Sequence, residues 1–510
     1  MPEEILGQLK KKIQPQWKIC FLSGLMAGFA AHFYKLTNWL PNWDSLVFRY
    51  DKQNMLAMGR WFLSVAAAPS SYYDLPWLAS LMTIVFYALG AVCICRMFDV
   101  RKNMTAALIG ATVVSFPNVT SVLMYNYVAD AYALSFLLAC MAALLMTLEK
   151  PPHILCVVLI AFSAGIYQAY LTVSIMLLLC YLIRLCLQRD ANIKVLLLRS
   201  ARFLVTGILG VVLYYGILMV LLKITGTSLL DYQGMNKAVS VSSIDLWDTL
   251  YVVKESFFKY FLDFSNGLHV FGVMNAIVFA GIVIFTLEDI LRNRVGIWQL
   301  LLLGVYVIAL PLGATILSFL NSSIDYHNLM KMGFFAYYLL FILQYEHAGY
   351  NSRKFIVMKS WVVLAVMAVL VFNQVVIANV SYHKLNMAYE KSYGVLIRIA
   401  DRMEQTEGAA DCDRILVLGA LPGSEAYSVN LPPDMTGTTD GWILRADDET
   451  VGQSVLCSAL NDYCGKNYTF LAGDEKQALL EKVNLSELGN WPEKNAIRVV
   501  DDVILIKLGD

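Results

Sequence analysis

The sequence predicts a polytopic α-helical membrane protein with about eleven spans and a small extracytoplasmic α/β domain at its carboxyl end, and three observations predict it. Of 510 residues, 58% are apolar and only 15% charged, whereas soluble domains carry about a quarter charged residues. Apolar runs long enough to cross a bilayer recur through 1–378. From 379 to 510 that pattern stops, and a stretch of about 130 residues is long enough to fold alone.

Lys10, Lys11, Lys12 and Lys18 precede the first apolar run, 19–37, as in a signal peptide. That run has the length of a full span, and no small-residue cleavage site follows, so it is expected to stay as an anchor. Further spans are expected near 77–97, 104–124, 128–148, 153–167, 169–187, 203–222, 268–287, 297–319, 332–345 and 355–378. An odd number of spans places the termini on opposite sides. One set of loops, containing Arg96 to Lys102, Arg184 to Arg202, Arg292 with Arg294, and Arg353 to Lys359, carries roughly twice the Lys and Arg of the other. With the amino-terminal tail, that set is expected to be cytoplasmic, and the carboxyl terminus extracytoplasmic. Two spans look interrupted: Met104 to Phe116 runs into Pro117, and His153 to Gly165 runs into the polar pair Tyr167-Gln168. Such breaks are either a kink and a short hairpin or the lining of a site, because non-helical backbone at that depth needs protein or a water-filled cavity around it.

Two loops, 38–75 and 223–267, are expected outward and are too long for simple turns. Met55 to Ala67 reads as an amphipathic helix at the interface, carrying Arg60 and Trp61, and Leu246 to Leu262 as a second surface helix. In the tail, Tyr382 to Glu404 reads as an amphipathic helix, Arg414 to Gly419 as a buried strand ending in a turn, and Ile497 to Leu508 as closing strands. The turn Gly419-Ala-Leu-Pro-Gly423 lacks the Lys-Ser/Thr of a phosphate loop, and Pro422 removes an amide donor. Seven of the ten cysteines lie in apolar segments; Cys412, Cys457 and Cys464 do not, and Cys457 with Cys464 is the candidate disulfide. The formal net charge is zero, so nothing suggests nucleic acid as a partner.

Four constellations can carry chemistry. In the first outward loop stand Asn42-Trp43-Asp44-Ser45, Asp51 and Gly59-Arg60-Trp61. Two carboxylates and an arginine there suit a base for a hydroxyl proton and a cation for a departing phosphate, or else Asp44 caps a short helix and the other charges are solvated. Tyr125 to Tyr132 includes Asp130 at the end of a span, where a carboxylate is either functional or a helix cap. Tyr167-Gln168-Ala-Tyr170 offers an amide and phenols to sugar hydroxyls, although interfacial tyrosines are common. In Asp325-Tyr326-His327-Asn328 with Lys331, His327 and Lys331 would share a phosphate if a helix set them one turn apart.

The ordered occurrence of Asn42-Trp43-Asp44-Ser45, Gly59-Arg60-Trp61, Ser115-Phe116-Pro117 and Gly165-Ile-Tyr167-Gln168-Ala-Tyr170 resembles the polytopic Gtr-type O-antigen glucosyltransferases of the glycosyltransferase C superfamily. The likeness covers roughly residues 1–380. It implies a glycosyltransferase C-like fold in a bacterial cytoplasmic membrane. It also implies a polyprenyl-phosphate sugar donor, usually glucose, and a surface glycan acceptor, with inverting transfer on the extracytoplasmic face. The family's acidic position falls on Asp44 first and Asp51 second, and its phosphate-binding cation on Arg60 or Lys331, with His327 beside it. Asn42, Trp43, Trp61, Tyr125, Asp130, Tyr167, Gln168 and Tyr326 are the candidates for sugar or acceptor contact. No cofactor is required by the sequence; a divalent cation, Mg or Mn, is left open with Asp44 as its candidate ligand. The rival classes are a lipid-linked-sugar flippase, which would want charges at the span centres, and a non-catalytic envelope assembly protein.

Overall fold

The computed structural model describes residues 2–4, 7, 13–48, 51–189, 191–230, 246–262, 269–319, 326–346, 354–419, 421 and 451–509. Asp325, residues 231–245 of the second long loop, and Ala420, Pro422 and Gly423 of the glycine turn lie outside the described residues. In chain order the helices are α1 (Pro15–Thr37), α2 (Trp43–Val47), α3 (Leu63–Ala67), α4 (Pro76–Met97), α5 (Asn103–Ser115), α6 (Pro117–Met124), α7 (Asn126–Met146), α8 (His153–Ile166), α9 (Leu171–Cys186), α10 (Ile193–Thr225), α11 (Leu246–Phe261), α12 (His269–Asn293), α13 (Ile297–Ala314), α14 (Phe335–Glu346), α15 (Lys354–Glu404), α16 (Val451–Cys464) and α17 (Gly473–Lys482). The strands are β1 (Arg414–Leu418), β2 (Thr469–Phe470), β3 (Ile497–Val500) and β4 (Val503–Lys507).

Among the described residues, nine helical segments are long and apolar enough to cross a membrane. The two other expected spans are helical but short: α8 has 14 residues and α14 has 12. At 1.5 Å per residue they reach only about 20 Å, less than a hydrocarbon core of about 30 Å. The chain is thus a polytopic helical membrane protein with a small carboxyl-terminal sheet.

The chain divides into two compact units, one of residues 1–37, 52–379 and 431–436, the other of 38–51, 380–430 and 437–510; the division falls inside α15. In the first unit α1 packs on α4 and α5, α4 on α7, α7 on α8, α8 on α10, and α9 on α13. Lipid offers no hydrophobic drive between helices, so close packing and polar clasps hold these pairs. Ser135 on α7 and Ser163 on α8 donate to each other's backbone carbonyls at 2.8 and 2.9 Å. Where α1 meets α5, a Cβ on Gly110 would overlap the Cys20 carbonyl, so only glycine lets these backbones approach.

In the second unit the sheet order is β2-β1-β4-β3, with β1 parallel to β2 and β4, and β3 antiparallel to β4. Alternation sends Ile415, Val417, Ile504 and Ile506 to a core with α16 and the end of α15, while Leu416 and Leu505 face Leu479 of α17. Leu46 of α2 lies in the first of these cores.

Several expectations are corrected. Met55 to Ala67 is not one helix: a 3-10 turn at Leu56–Met58 ends at Gly59, whose φ of +75° stops it, and α3 begins only at Leu63. Tyr382 to Glu404 is no separate helix but the continuation of the last span as α15. All ten cysteines are free. Cys457 and Cys464 lie on α16 about 10 Å apart along its axis, beyond disulfide reach. Burial instead pushes the Cys457 thiol up to about 11, and its sulfur donates to the Tyr468 carbonyl at 2.9 Å.

Gly110→Ala is expected to cost about 1–3 kcal/mol through overpacking at the α1–α5 contact. Thermal unfolding in detergent checks this, and an unchanged midpoint would contradict the contact.

Candidate active site

Arg60 sits in the turn between Gly59 and α3 of the first unit, and the neighbouring helices fix it from several directions. Its Nη1 donates to the Tyr132 hydroxyl at 2.9 Å, and its guanidinium carbon lies 4.8 Å from the centre of the Tyr167 ring. Tyr132 and Tyr167 stack at 4.6 Å with 8° between their planes. Gln168 donates its Nε2 to the Met58 carbonyl at 3.0 Å, and the Tyr214 hydroxyl donates to the Gly59 carbonyl at 3.0 Å. Two side chains therefore grip the backbone just ahead of Arg60. On its other side the Phe62 N–H donates to the Gly165 carbonyl at 2.8 Å. Trp61 fills the space a Gly165 side chain would need and meets Phe162 edge-on at 5.1 Å.

This grip depends on the second interrupted helix. After α8, Tyr167 is extended (φ −155°, ψ 116°), Gln168–Tyr170 forms a 3-10 turn, and α9 starts at Leu171. The break turns Tyr167 and Gln168 toward Arg60. The first break does the same for another element. Phe116 leaves helical geometry (ψ 138°) and Pro117 starts α6, where its missing N–H costs nothing. Asn118 then donates to the carbonyls of Asn328 and Leu329 at 2.8 and 2.9 Å. Asn328 donates back to the Pro117 carbonyl and the Ser121 hydroxyl, both at 3.1 Å. Tyr87 and Tyr170 share a hydroxyl hydrogen bond of 2.6 Å across the same region.

The clasped element is a seven-residue 3-10 helix, Asn328–Phe334, which packs on the Gln168–Tyr170 turn. Runs of that length are uncommon, because the hydrogen-bond geometry is poorer than in an α-helix. It carries Lys331, 1% exposed, with Nζ 5.8 Å from the centre of the Tyr260 ring on α11. His327 precedes the helix at its N-cap and is half-buried. The expected one-turn spacing of His327 and Lys331 is corrected here: at three residues per turn they point about 120° apart. Tyr326 is buried, donates to the Ala314 carbonyl at 2.7 Å, and lies within electrostatic reach of Tyr167.

A cavity of about 540 Å³ opens between α9, α11, α12, α13 and α14. Its lining is largely apolar and aromatic, with Phe257, Phe279 and Tyr337 forming one wall and Arg184, Asp289 and Arg292 among its polar members. The aromatic wall continues outside the cavity from Phe257 to Phe261, which stacks on Phe334, and to Tyr260 beneath Lys331.

The remaining candidates fall elsewhere. Asp130 is buried in the second turn of α7; one carboxylate oxygen accepts from the Ala131 N–H at 2.9 Å. Tyr125 is half-buried with its ring against Tyr127 at 6.4 Å. Asn42, Asp44 and Asp51 belong to the second unit. Asn42, not Asp44, caps α2: its Oδ1 accepts from the Ser45 N–H and hydroxyl, each at 2.9 Å. Asp44 is half-buried in the first turn of α2 and Asp51 is exposed; the Trp43 side chain lies outside the described residues.

Sequence reasoning missed Tyr132 and Tyr214, which hold Arg60 and its loop, and it missed a buried polar cluster. Lys35, fully buried near the end of α1, has Asp74 as its charge partner. Asp74 accepts from Asn126 Nδ2 at 2.6 Å, and Asn126 Oδ1 accepts from Ser80 at 2.9 Å. The available signal was Lys35 itself, a lone ammonium inside an apolar run.

The family model described as glucosyl transferase GtrII matches residues 33–343. Comparison with curated proteins and with solved structures finds no match. The matched range contains Arg60, Tyr132, Tyr167, Gln168, Tyr214, Tyr326 and Lys331, all within the first unit.

Removing one partner of the buried Lys35–Asp74 pair strands the other charge. Asp74→Asn is expected to lower stability by about 3–5 kcal/mol, and adding Lys35→Met to recover most of that loss. Thermal melts of the two single variants and the double variant form a cycle; simple additivity would show that the pair is not coupled.

Proposed function

Since the chain belongs to the GtrII glucosyl transferase family, we propose that this membrane glucosyltransferase takes its sugar, glucose, from a polyprenyl-phosphate donor. The acceptor is a surface glycan, reached at the extracytoplasmic face of a bacterial cytoplasmic membrane, with the amino terminus inside and the carboxyl-terminal unit outside. The observation that carries this reading is Lys331. A buried ammonium stands at one end of an aromatic wall whose other end lines an apolar cavity of about 540 Å³, a size suited to a lipid chain. A lysine with an apolar surface behind it suits an amphiphile with an anionic headgroup.

The chemistry then needs one displacement. An acceptor hydroxyl attacks the anomeric carbon from the face opposite the phosphate, the carbon–oxygen bond to the phosphate breaks, and the configuration inverts. The hydroxyl proton passes to a carboxylate base, for which the sequence resemblance nominates Asp44 first and Asp51 second, and the bond electrons leave on the polyprenyl phosphate. Arg60, held by Tyr132 and Tyr167, and Lys331 stabilise that developing charge without reorganising, which is how fixed cations lower a barrier. Trp61, Tyr167, Gln168 and Tyr326 shape the sugar-facing wall, and Asn42, Trp43, Tyr125 and Asp130 remain acceptor candidates. The phosphate charge is assigned to Arg60 and Lys331, and a divalent cation, Mg or Mn, would add to them with Asp44 as its candidate ligand.

Purified protein in lipid nanodiscs, given polyprenyl-phosphate glucose and envelope glycan, should consume the donor. Arg60→Ala should lower kcat by about 100- to 1000-fold, and Asp44→Ala combined with Asp51→Ala should abolish turnover while expression persists. Full turnover in that double variant would sink the assignment of the base. Turnover from a nucleotide sugar in place of the lipid donor would sink the donor assignment.

A further inference from the structure

The second unit contains a cavity of its own, of about 470 Å³, that the transfer reaction above does not use. Met403 and Glu404 at the end of α15, Cys412 and Asp413 ahead of β1, and Lys466 to Tyr468 between α16 and β2 line it. The volume lies within the range of about 300–1,000 Å³ usual for small-ligand sites.

Tyr468 is the fixed aromatic of this site. Its N–H donates to Asn461 Oδ1 at 2.8 Å, and its carbonyl accepts from Asn461 Nδ2 and Cys457 Sγ, each at 2.9 Å. The next residue, Thr469, donates its N–H to the Asp413 carbonyl at 2.8 Å and enters β2. The backbone of this half-buried residue is thereby clamped, and its side chain packs against the core that β1 shares with α16, so little freedom is lost when a ligand settles on it. Around it, the side chains of Asn467 and Asp413 are exposed and make no hydrogen bond among the described residues. Glu404 and Lys466 pair at 2.7 Å on the rim.

Charge decides between ligand classes. Glu404 and Asp413 outnumber Lys466, and around Cys412 the carboxylates Asp411 and Asp502 outnumber Arg414. Such a cavity repels phosphates and carboxylates. A ring face, an amide and carboxylate acceptors together match a ligand with an apolar face and several neutral hydroxyls. We propose that this cavity binds a neutral saccharide unit, stacked on Tyr468 and hydrogen-bonded by Asn467, Asp413 and the Glu404–Lys466 pair. This goes beyond the transfer reaction and does not rest on it, because it concerns a separate unit and a binding equilibrium.

The test uses the full chain in detergent on an array of neutral, acidic and amino mono- to tetrasaccharides, followed by calorimetric titration of the best neutral member. Tyr468→Ala should weaken binding by about tenfold or more, whereas Tyr468→Phe, which keeps the ring, should stay close to wild type. Asn467→Ala, at an exposed position that the fold does not need, should weaken it several-fold and guards against misfolding of the first variant. Failure of every neutral saccharide to bind, preference for acidic or amino members, or unchanged affinity in both Tyr468→Ala and Asn467→Ala would overturn the proposal. So would binding that survives Tyr468→Ala but vanishes in Arg60→Ala, since that signal belongs to the transfer site.

Discussion

Peptide groups released from a helix inside hydrocarbon have no water to turn to, and the first unit is arranged around meeting that demand at two breaks. At Phe116-Pro117 the reciprocal amides of Asn118 and Asn328 supply partners to the carbonyls of Pro117, Asn328 and Leu329. At Tyr167 the break is enclosed by α7, by the Arg60 loop and by the 3-10 helix that Asn328 begins. The clasps do more than satisfy backbone. A long 3-10 segment is poorly stabilised by its own hydrogen bonds, so its position comes from what grips it. Asn118 is that grip, and through it the place of Lys331 is set by a proline-started helix more than two hundred positions earlier in the chain.

Much of this was legible in the sequence, and the reason is period and punctuation. Apolar runs marked eleven segments that are all helical, nine of them of span length among the described residues, and Pro117 and Tyr167-Gln168 marked both breaks, because length and proline act locally. The strand Arg414–Leu418 was legible for the same reason, as was the closing hairpin Ile497–Lys507. Two errors were also local but finer. Gly59 can adopt a left-handed φ that ends the Leu56–Met58 turn, and amphipathic spacing across Met55 to Ala67 cannot report that. Asn42 and Asp44 are both good capping residues, and only the backbone shows which one stands at the cap.

What the sequence hid was pairing between distant positions. Tyr132 and Tyr214 are ordinary interfacial tyrosines until α7 and α10 bring them to the same loop. Asp74 falls in the loop 38–75, and Lys35 two residues before the end of the expected span 19–37. Their partnership exists because α1 and the entry to α4 bury both, along with Asn126. Taking two charges out of water is costly, so this arrangement is poorly explained as a source of stability alone. It does fix the ends of α1, α4 and α7 relative to one another, a matter of register more than of energy.

The same distinction bears on Arg60. A guanidinium over a tyrosine face gains about a kilocalorie or two at most, which is too little to account for the number of groups committed around it. Gln168 and Tyr214 do not touch the charge; they hold the Met58 and Gly59 carbonyls. Tyr132 occupies one nitrogen, and the Tyr167 ring sits against the guanidinium. Arginine tolerates this treatment where lysine would not, because its planar fork keeps several donors at fixed angles while its face rests on a ring. An ammonium in the same turn would present a point charge with no orientation to preserve. The local architecture therefore spends its contacts on direction, and direction is what a cation requires if it is to meet charge that appears only as a bond breaks.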